Sequence, residues 1–226
     1  KKDAEDGRST FHIAIMPCTA KKMEAARPQF YHNGKPDVDV VLTTQEIINM
    51  IKESGIQLPQ MELESPDLPF GLGSGAAVIY GSSGVAESVV RYCLPDKSKN
   101  TLRELQYSPL RGNEAIREAT VQVGEREIKL AVVHGLINAQ KLLKEIDAGT
   151  AYYDLVEVMT CPSGCVGGAG QPYGLKQKKQ DRAAGLYAAD RAAPFKRAEK
   201  NPVVLDFLNN YTPEQRHELL HTSYQG

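Results

Sequence analysis

Leu155-Val-Glu-Val-Met159 is an apolar run of strand character that passes within two residues into Cys161-Pro-Ser-Gly-Cys165, and from there into small residues ending at Gln171-Pro172. A strand that stops on a bent, thiol-bearing, glycine-rich loop constrains the fold strongly, because ligands gather at the carboxyl ends of strands in α/β domains. The arrangement occurs a second time. Phe11-His-Ile-Ala-Ile-Met16 is a β-rich apolar run that reads as a buried strand, stops at Pro17 and delivers Cys18.

The remaining pattern fits the same class. Val38 to Leu42 reads as a strand, and Thr43 or Thr44 can cap the following helix, whose Ile47, Ile48 and Ile51 recur at helical spacing before Gly55. A proline-rich connection from Leu58 to Phe70 leads to a glycine-dense stretch ending at Gly84, then to a helix through Val85, Val89 and Tyr92. Ile128 to His134 reads as a strand, and Leu136 to Asp147 as an amphipathic helix stopped by Gly149. Such alternation predicts an α/β fold with a mostly parallel sheet flanked by helices. From Lys176 the chain changes character: it is first charged, then helical in pattern but interrupted by Pro194, Pro202 and Pro213, with a capping-box start at Thr212 to Gln215 for a last helix. The division expected is 1–175 for the main lobe and 176–226 for an extended helical tail.

Bulk properties exclude some partners. A formal net charge of -1 and an isoelectric point near 6.6 give no general attraction for nucleic acid or a membrane surface. No apolar run approaches the roughly 18 residues that span a bilayer, and the first ten residues carry no apolar signal core, so a cytoplasmic location is expected. Four cysteines in 226 residues are too few for a secreted disulfide scaffold. Cysteines beside glycines in a reducing compartment point instead to metal binding.

Taken singly, each candidate has a bland reading. Cys18 after a strand resembles a small buried hydrophobe, Cys93 on a helical stripe reads as core, and Met16 and Met159 read as strand core. Lys21 and Lys22 would be a solvated turn and Glu24 a surface carboxylate. Taken jointly the motifs say more. Thiolates are soft ligands suited to iron, and glycines leave backbone N–H groups unhindered for donation to sulfides or anionic ligands.

Met16-Pro-Cys-Thr-Ala-Lys-Lys-Met-Glu24 and Glu157-Val-Met-Thr-Cys-Pro-Ser-Gly-Cys-Val-Gly-Gly-Ala-Gly-Gln-Pro172 resemble the second and third signatures of the [FeFe]-hydrogenases. Asp37 to Thr44, Gly73 to Gly81 and His134 to Leu143 also resemble that family, in family order. Leu186 to Asp190, Asn201-Pro and His217 to Tyr224 resemble its small-subunit segment, which is fused to the catalytic domain in many members. The resemblance implies one lobe of the iron hydrogenase large-subunit fold with a helical tail wrapping it. It also implies an H-cluster, a [4Fe-4S] cluster joined by a thiolate to a two-iron subcluster carrying CO, cyanide and a dithiolate. By motif position Cys18 and Cys161 bind the cubane, and Cys165 bridges it to the two-iron unit. Lys21 donates to a cyanide, Met16 and Met159 pack around the two-iron unit, Glu24 lies on the proton route, and Gln171 belongs to the cofactor-binding motif. The implied reaction is reversible interconversion of protons plus electrons and H2, with ferredoxin or a similar carrier as electron partner.

Two departures qualify that expectation. The family's first cysteine signature, which supplies the fourth cubane ligand, is absent from this chain, so the chain is expected to be a fragment that needs an N-terminal lobe of the same protein and is apo and inactive alone. Ser163 stands where hydrogen-producing members have Gly, and Ala169 interrupts the usual glycine run. Cys-Pro-Ser-Gly-Cys also occurs in hydrogenase-like proteins of cytosolic iron-sulfur assembly, and a sensory hydrogenase is a further alternative. Thr19-Ala-Lys-Lys22 and the Leu219-Leu-His-Thr222 tail favour the hydrogenase branch.

Overall fold

A capping box starts the first long helix, and it does so where the sequence places it. In the computed structural model, which describes residues 10–62, 64, 84–94 and 115–222, the Thr43 hydroxyl accepts from the Glu46 amide at 3.2 Å, and the Glu46 carboxylate accepts from the Thr43 amide at 2.7 Å. The glycine-dense stretch before Gly84 and the Tyr224 end of the tail lie outside the described residues.

The chain falls into two units, one of residues 1–65, 168–173 and 212–226, the other of 66–167 and 174–211. The first unit runs β1 (Ile13–Met16), α1 (Ala20–Ala25), the short hairpin β2 (Tyr31–His32) and β3 (Lys35–Pro36), β4 (Val40–Thr43) and α2 (Thr44–Glu53). β1 and β4 pair in parallel, with Met16 opposite Thr43, so both strands end at the same edge. The expectation that β1 is a buried strand is corrected. Phe11, Ile13 and Ile15 are all more than half exposed, because β1 has β4 as its one described neighbour and Ile13 and Ile15 share a bare face.

The second unit is a three-layer sandwich. It holds α3 (Gly84–Cys93), β5 (Ile116–Val123), β6 (Arg126–His134), α4 (Leu136–Asp147), β7 (Leu155–Met159), α5 (Lys176–Ala192) and α6 (Pro202–Asn209). The sheet has the order β5-β6-β7, with β5 antiparallel to β6 and β6 parallel to β7. Side chains opposite one another in register share a face. Leu130, Val132 and Val121 therefore pack with Ala86 and Val90 of α3 and with Leu94 just after it, while Ala131 and Val133 pack with Ala139 and Leu142 of α4. Full burial of each of the larger side chains contributes about 1.5–3 kcal/mol. Of the four described strand pairings two are parallel and two antiparallel, β5 being a strand that the sequence pattern did not announce.

α3 turns a different face inward from the one its apolar stripe suggests. Ala86, Glu87, Val90, Arg91 and Leu94 are buried, whereas Val85, Val89 and Tyr92 are 43–67% exposed and Cys93 is exposed. Cys93 is thus no core residue. Arg91 takes the inward phase because it forms two hydrogen bonds with Asp190 of α5, at 2.8 and 2.9 Å, and one with Glu87 at 3.2 Å, all three side chains being essentially solvent-free. These bonds tie the two helices together: removing Asp190 leaves the buried arginine to Glu87, and removing Arg91 takes the shared cation from two buried carboxylates.

Of the three tail prolines, Pro194 lies just beyond the end of α5 as a break, whereas the other two act as starters. Pro202 opens α6 under an Asn201 cap, and Pro213 opens α7 (Pro213–Leu220) of the first unit under a Thr212 capping box. No helix among the described residues is long and apolar enough to cross a membrane.

Candidate functional site

In the first unit Cys18 follows β1 on a short turn and is a half-buried free thiol. Its turn is stitched to residues distant in sequence. The Gly170 amide donates to the Pro17 carbonyl at 3.0 Å, and the Gly170 carbonyl accepts from the Gln45 amide at 2.9 Å. A Cβ at Gly170 would lie 2.9 Å from Pro17 C, 3.0 Å from Cys18 N and 3.0 Å from the Thr43 side chain, so glycine is the residue that permits this approach. Gln171 is half-buried beside it, its amide donating to Gly168 at 3.0 Å.

α1 then separates the two lysines that the sequence treats alike. Lys22 reaches Glu46 at 3.0 Å, and the Thr43 amide followed by the Lys22 ammonium holds the Glu46 carboxyl at a pKa of about 2. Lys21 pairs with Glu24 one turn on. Both line a groove of about 180 Å³ together with Met16, Phe30, Asp37 and Val41. Met16, Lys21 and Glu24, named from the sequence, are therefore brought to one concavity, apolar on its floor and charged at its side.

In the second unit β7 ends on Met159, half-buried and opposite His134 in register, with the Gly135 amide donating to the Met159 carbonyl at 2.7 Å. The chain then turns through Cys161 and Cys165, both half-buried and neither in a disulfide. The Gly164 amide closes the turn onto the Cys161 carbonyl at 3.1 Å, and Ser163 and Gly164 both take left-handed backbone, with φ of 71° and 73°. At Gly167 a Cβ would strike the Pro162 carbonyl oxygen at 2.3 Å. Arg182 of α5 donates to the Val166 carbonyl at 3.1 Å, so the tail helix braces the loop beyond Cys165.

Beneath this loop lies a buried polar row that sequence reasoning missed. Arg117, His134 and Glu157 are 4%, 3% and 8% exposed. Arg117 and Glu157 both stand opposite Val132 in register, on the face that packs against α3. Arg117 Nη2 is 3.2 Å from His134 Nε2, and the Ser163 amide is 3.3 Å from His134 Nδ1. Burial, then the Arg117 charge, pushes the His134 pKa down to about 4. Glu157 accepts from the Ala86 amide at 2.9 Å, and burial raises its carboxyl against the opposing pull of the α3 amides; its Oε1 has no partner among the described residues. The available signal was a histidine ending an otherwise apolar strand. Arg117 gave none, because β5 itself was not recognised.

The donor set suits an iron-sulfur cluster: thiols outside any disulfide, soft ligands, on turns of small residues. Among the described residues no three His, Cys, Asp or Glu side chains converge on one ion-sized position. A cubane does not ask for that, since each thiolate binds a different iron.

The family model for the iron only hydrogenase large subunit, C-terminal domain, matches residues 1–169, and that for the iron hydrogenase small subunit matches 176–226. The NADP-reducing hydrogenase subunit HndD of Solidesulfovibrio fructosivorans is 40% identical over 94% of the chain, which spans 37% of that relative. Cytosolic iron-sulfur assembly component 3 of Pongo abelii is 34% identical over 96% of the chain and 48% of its own length. Among solved structures, a variant of the [FeFe]-hydrogenase HydA1 from Chlamydomonas reinhardtii superposes with a TM-score of 0.75 at 33% identity, covering 99% of this chain and 66% of that one.

Proposed function

The chain belongs to the iron-only hydrogenase family, and we propose that the protein it comes from interconverts protons plus electrons and H2 at an H-cluster to which this chain supplies three thiolates. The observation that carries the reading is the placement of the thiols. Cys18 follows one parallel strand pair and Cys161 and Cys165 follow the other, at the strand ends where α/β folds hold ligands.

When bound, the two-iron unit with its CO, cyanide and dithiolate ligands supplies the redox chemistry. The chain's own residues hold and orient. Cys18, Cys161 and Cys165 would hold the cluster, the first two as ligands of its cubane and the third as the thiolate shared with the two-iron unit. Lys21, paired here with Glu24, would give a charge-assisted hydrogen bond to a cyanide of the bound cofactor. Glu24, released, carries a proton along the groove it lines, while Met16 and Met159 exclude water, and Gln171 sits in the turn pinned beside Cys18. The bare apolar face of β1 fits an N-terminal lobe that contributes the fourth cubane cysteine, and a ferredoxin-like carrier in the cytoplasm delivers electrons.

Reconstitution of the full-length protein with iron, sulfide and the two-iron cofactor tests this. H2 evolution together with CO and cyanide stretching bands in the infrared is expected. Loss of those bands in an otherwise iron-loaded protein would sink the proposal.

Ser163 and the match to the assembly component favour a second reading, an iron-sulfur protein of assembly type. It expects a [4Fe-4S] paramagnetic signal without CO or cyanide bands. A sensory hydrogenase keeps the bands but turns over slowly.

A further inference from the structure

β6 ends on His134, directly opposite Met159, so the imidazole stands where β7 enters the cysteine loop. The residue is fixed on both sides of its backbone: its amide donates to the Ala115 carbonyl at 2.8 Å, and its carbonyl accepts from Asn138 Nδ2 at 2.7 Å. The ring is buried, so packing limits the rotamers open to it, and the contacts of its nitrogens set which way it faces. One of them, Nδ1, faces the amide of Ser163, the middle residue between the two cysteines. Ser163 is 7% exposed with φ of 71°, a backbone state that a residue with a Cβ keeps only where its surroundings impose it.

A neutral imidazole has one acceptor nitrogen and one N–H. Among the described residues two donors stand against this ring, the Ser163 amide at Nδ1 and the Arg117 guanidinium at Nε2. The ring accepts from one of them at a time, and the choice decides what the residue does. Protonation satisfies neither neighbour, in keeping with a pKa pushed down to about 4. Two facts favour Nδ1 as the acceptor. Among the described residues the Ser163 amide has no other acceptor, whereas Arg117 has five N–H donors and further partners.

We propose that His134 is a positioning residue for the cysteine loop: its Nδ1 accepts the Ser163 amide and so fixes the directions in which Cys161 and Cys165 present their sulfurs. The cluster consequence rests on the hydrogenase-type reading of those cysteines, and it extends that reading to a residue outside both cysteine motifs.

Three variants of the full-length protein separate the two nitrogens. His134→Asn puts an amide oxygen where Nδ1 was, His134→Gln puts one where Nε2 was, and His134→Leu removes both. In the apo protein, iodoacetamide alkylation followed by peptide mass spectrometry reads the loop alone, with exposed Cys93 as the internal reference. Cys161 and Cys165 in the Leu and Gln variants react about threefold to tenfold faster than wild type, the ratio set by one lost hydrogen bond, while the Asn variant stays within about twofold. In protein loaded with iron and sulfide, the cluster's midpoint potential by paramagnetic resonance titration shifts in the Leu and Gln variants and is restored in the Asn variant. Rescue by Gln instead of Asn, or three equal alkylation rates, overturns the role of His134. A wild-type protein that takes up no cluster overturns the hydrogenase-type reading instead, and the alkylation order still decides for or against His134.

Discussion

Replacing Gly170 with alanine tests how the Cys18 turn is held. The added methyl would lie 2.9 Å from the Pro17 carbonyl carbon and 3.0 Å from both the Cys18 amide and the Thr43 Cβ. Two of those atoms are backbone, and the third is the first side-chain atom of the buried residue that caps α2, so no flexible side-chain end can swing away. Relief requires moving the 168–173 segment outward, which lengthens the bond from Gly170 to Pro17 and the bond from Gln45 to Gly170, now 3.0 and 2.9 Å. Overpacking of this kind costs about 1–3 kcal/mol, and each weakened bond adds about 0.5–1.5 kcal/mol, so about 3 kcal/mol is expected. Gly185→Ala provides the matched control. It lies within α5 with nothing within 4 Å of an added Cβ, and exchanging glycine for alanine in an exposed helix stabilises by about 0.5–1 kcal/mol. Urea denaturation followed by circular dichroism measures both, and alkylation of Cys18 relative to Cys93 reads the turn directly. A Gly170→Ala protein of wild-type stability with an unchanged Cys18 rate would refute the stitching.

Asp190→Ala removes two of the three side-chain hydrogen bonds that Arg91 makes among the described residues and leaves Glu87 as its carboxylate partner, and is expected to destabilise by about 3 kcal/mol in a urea titration. Ser163→Gly removes a left-handed backbone penalty and is expected to stabilise by about 1 kcal/mol in the same assay. The His134 pKa is about 4 in the fold against 6.5 for the free side chain. Because the folded value is the lower one, the unfolded chain takes up the proton first; stability is full above about pH 6.5, falls by up to about 3 kcal/mol as pH drops to 4, and levels off below. Stability curves of wild type and His134→Asn across that window check the sign, and parallel curves would refute it.

What the sequence made legible were the features written in local chemistry. The caps at Thr43 and Thr212 each follow from a residue that satisfies its own neighbours' backbone, and the α4 and β7 spans follow from apolar pattern and length, whereas the start at Asn201 is hidden behind a proline that reads as a break. Met16, Lys21 and Glu24 line one groove, yet residue by residue they read as strand core, a solvated turn and a surface carboxylate, and only the family resemblance singles them out together. What escaped was decided by partners far along the chain. Tyr92 looks like an inward residue and Arg91 like an outward one until Asp190, 99 residues away, is present to neutralise the arginine. Ile13 and Ile15 look buried because apolar strands usually have neighbours on both faces. β5 carries Arg117, Glu118 and Gln122 among its apolar residues and so reads as neither strand nor helix.

The buried polar residues of the second unit also show where its stability is concentrated. Along the α3 face of the sheet, Leu130 and Leu155 give way at the next row to Arg117, Val132 and Glu157, and then to His134 and Met159 beneath the cysteine loop. An apolar row is stabilised by burial alone, whereas a buried charge persists only with partners in place. The end of the sheet that carries the loop therefore depends on geometry that the apolar end does not need. Removing a methylene from Leu130 lowers global stability, since that contact forms with the core. Removing a partner from His134 or Arg117 acts first on the loop, which is the part of the unit that a cluster would have to organise.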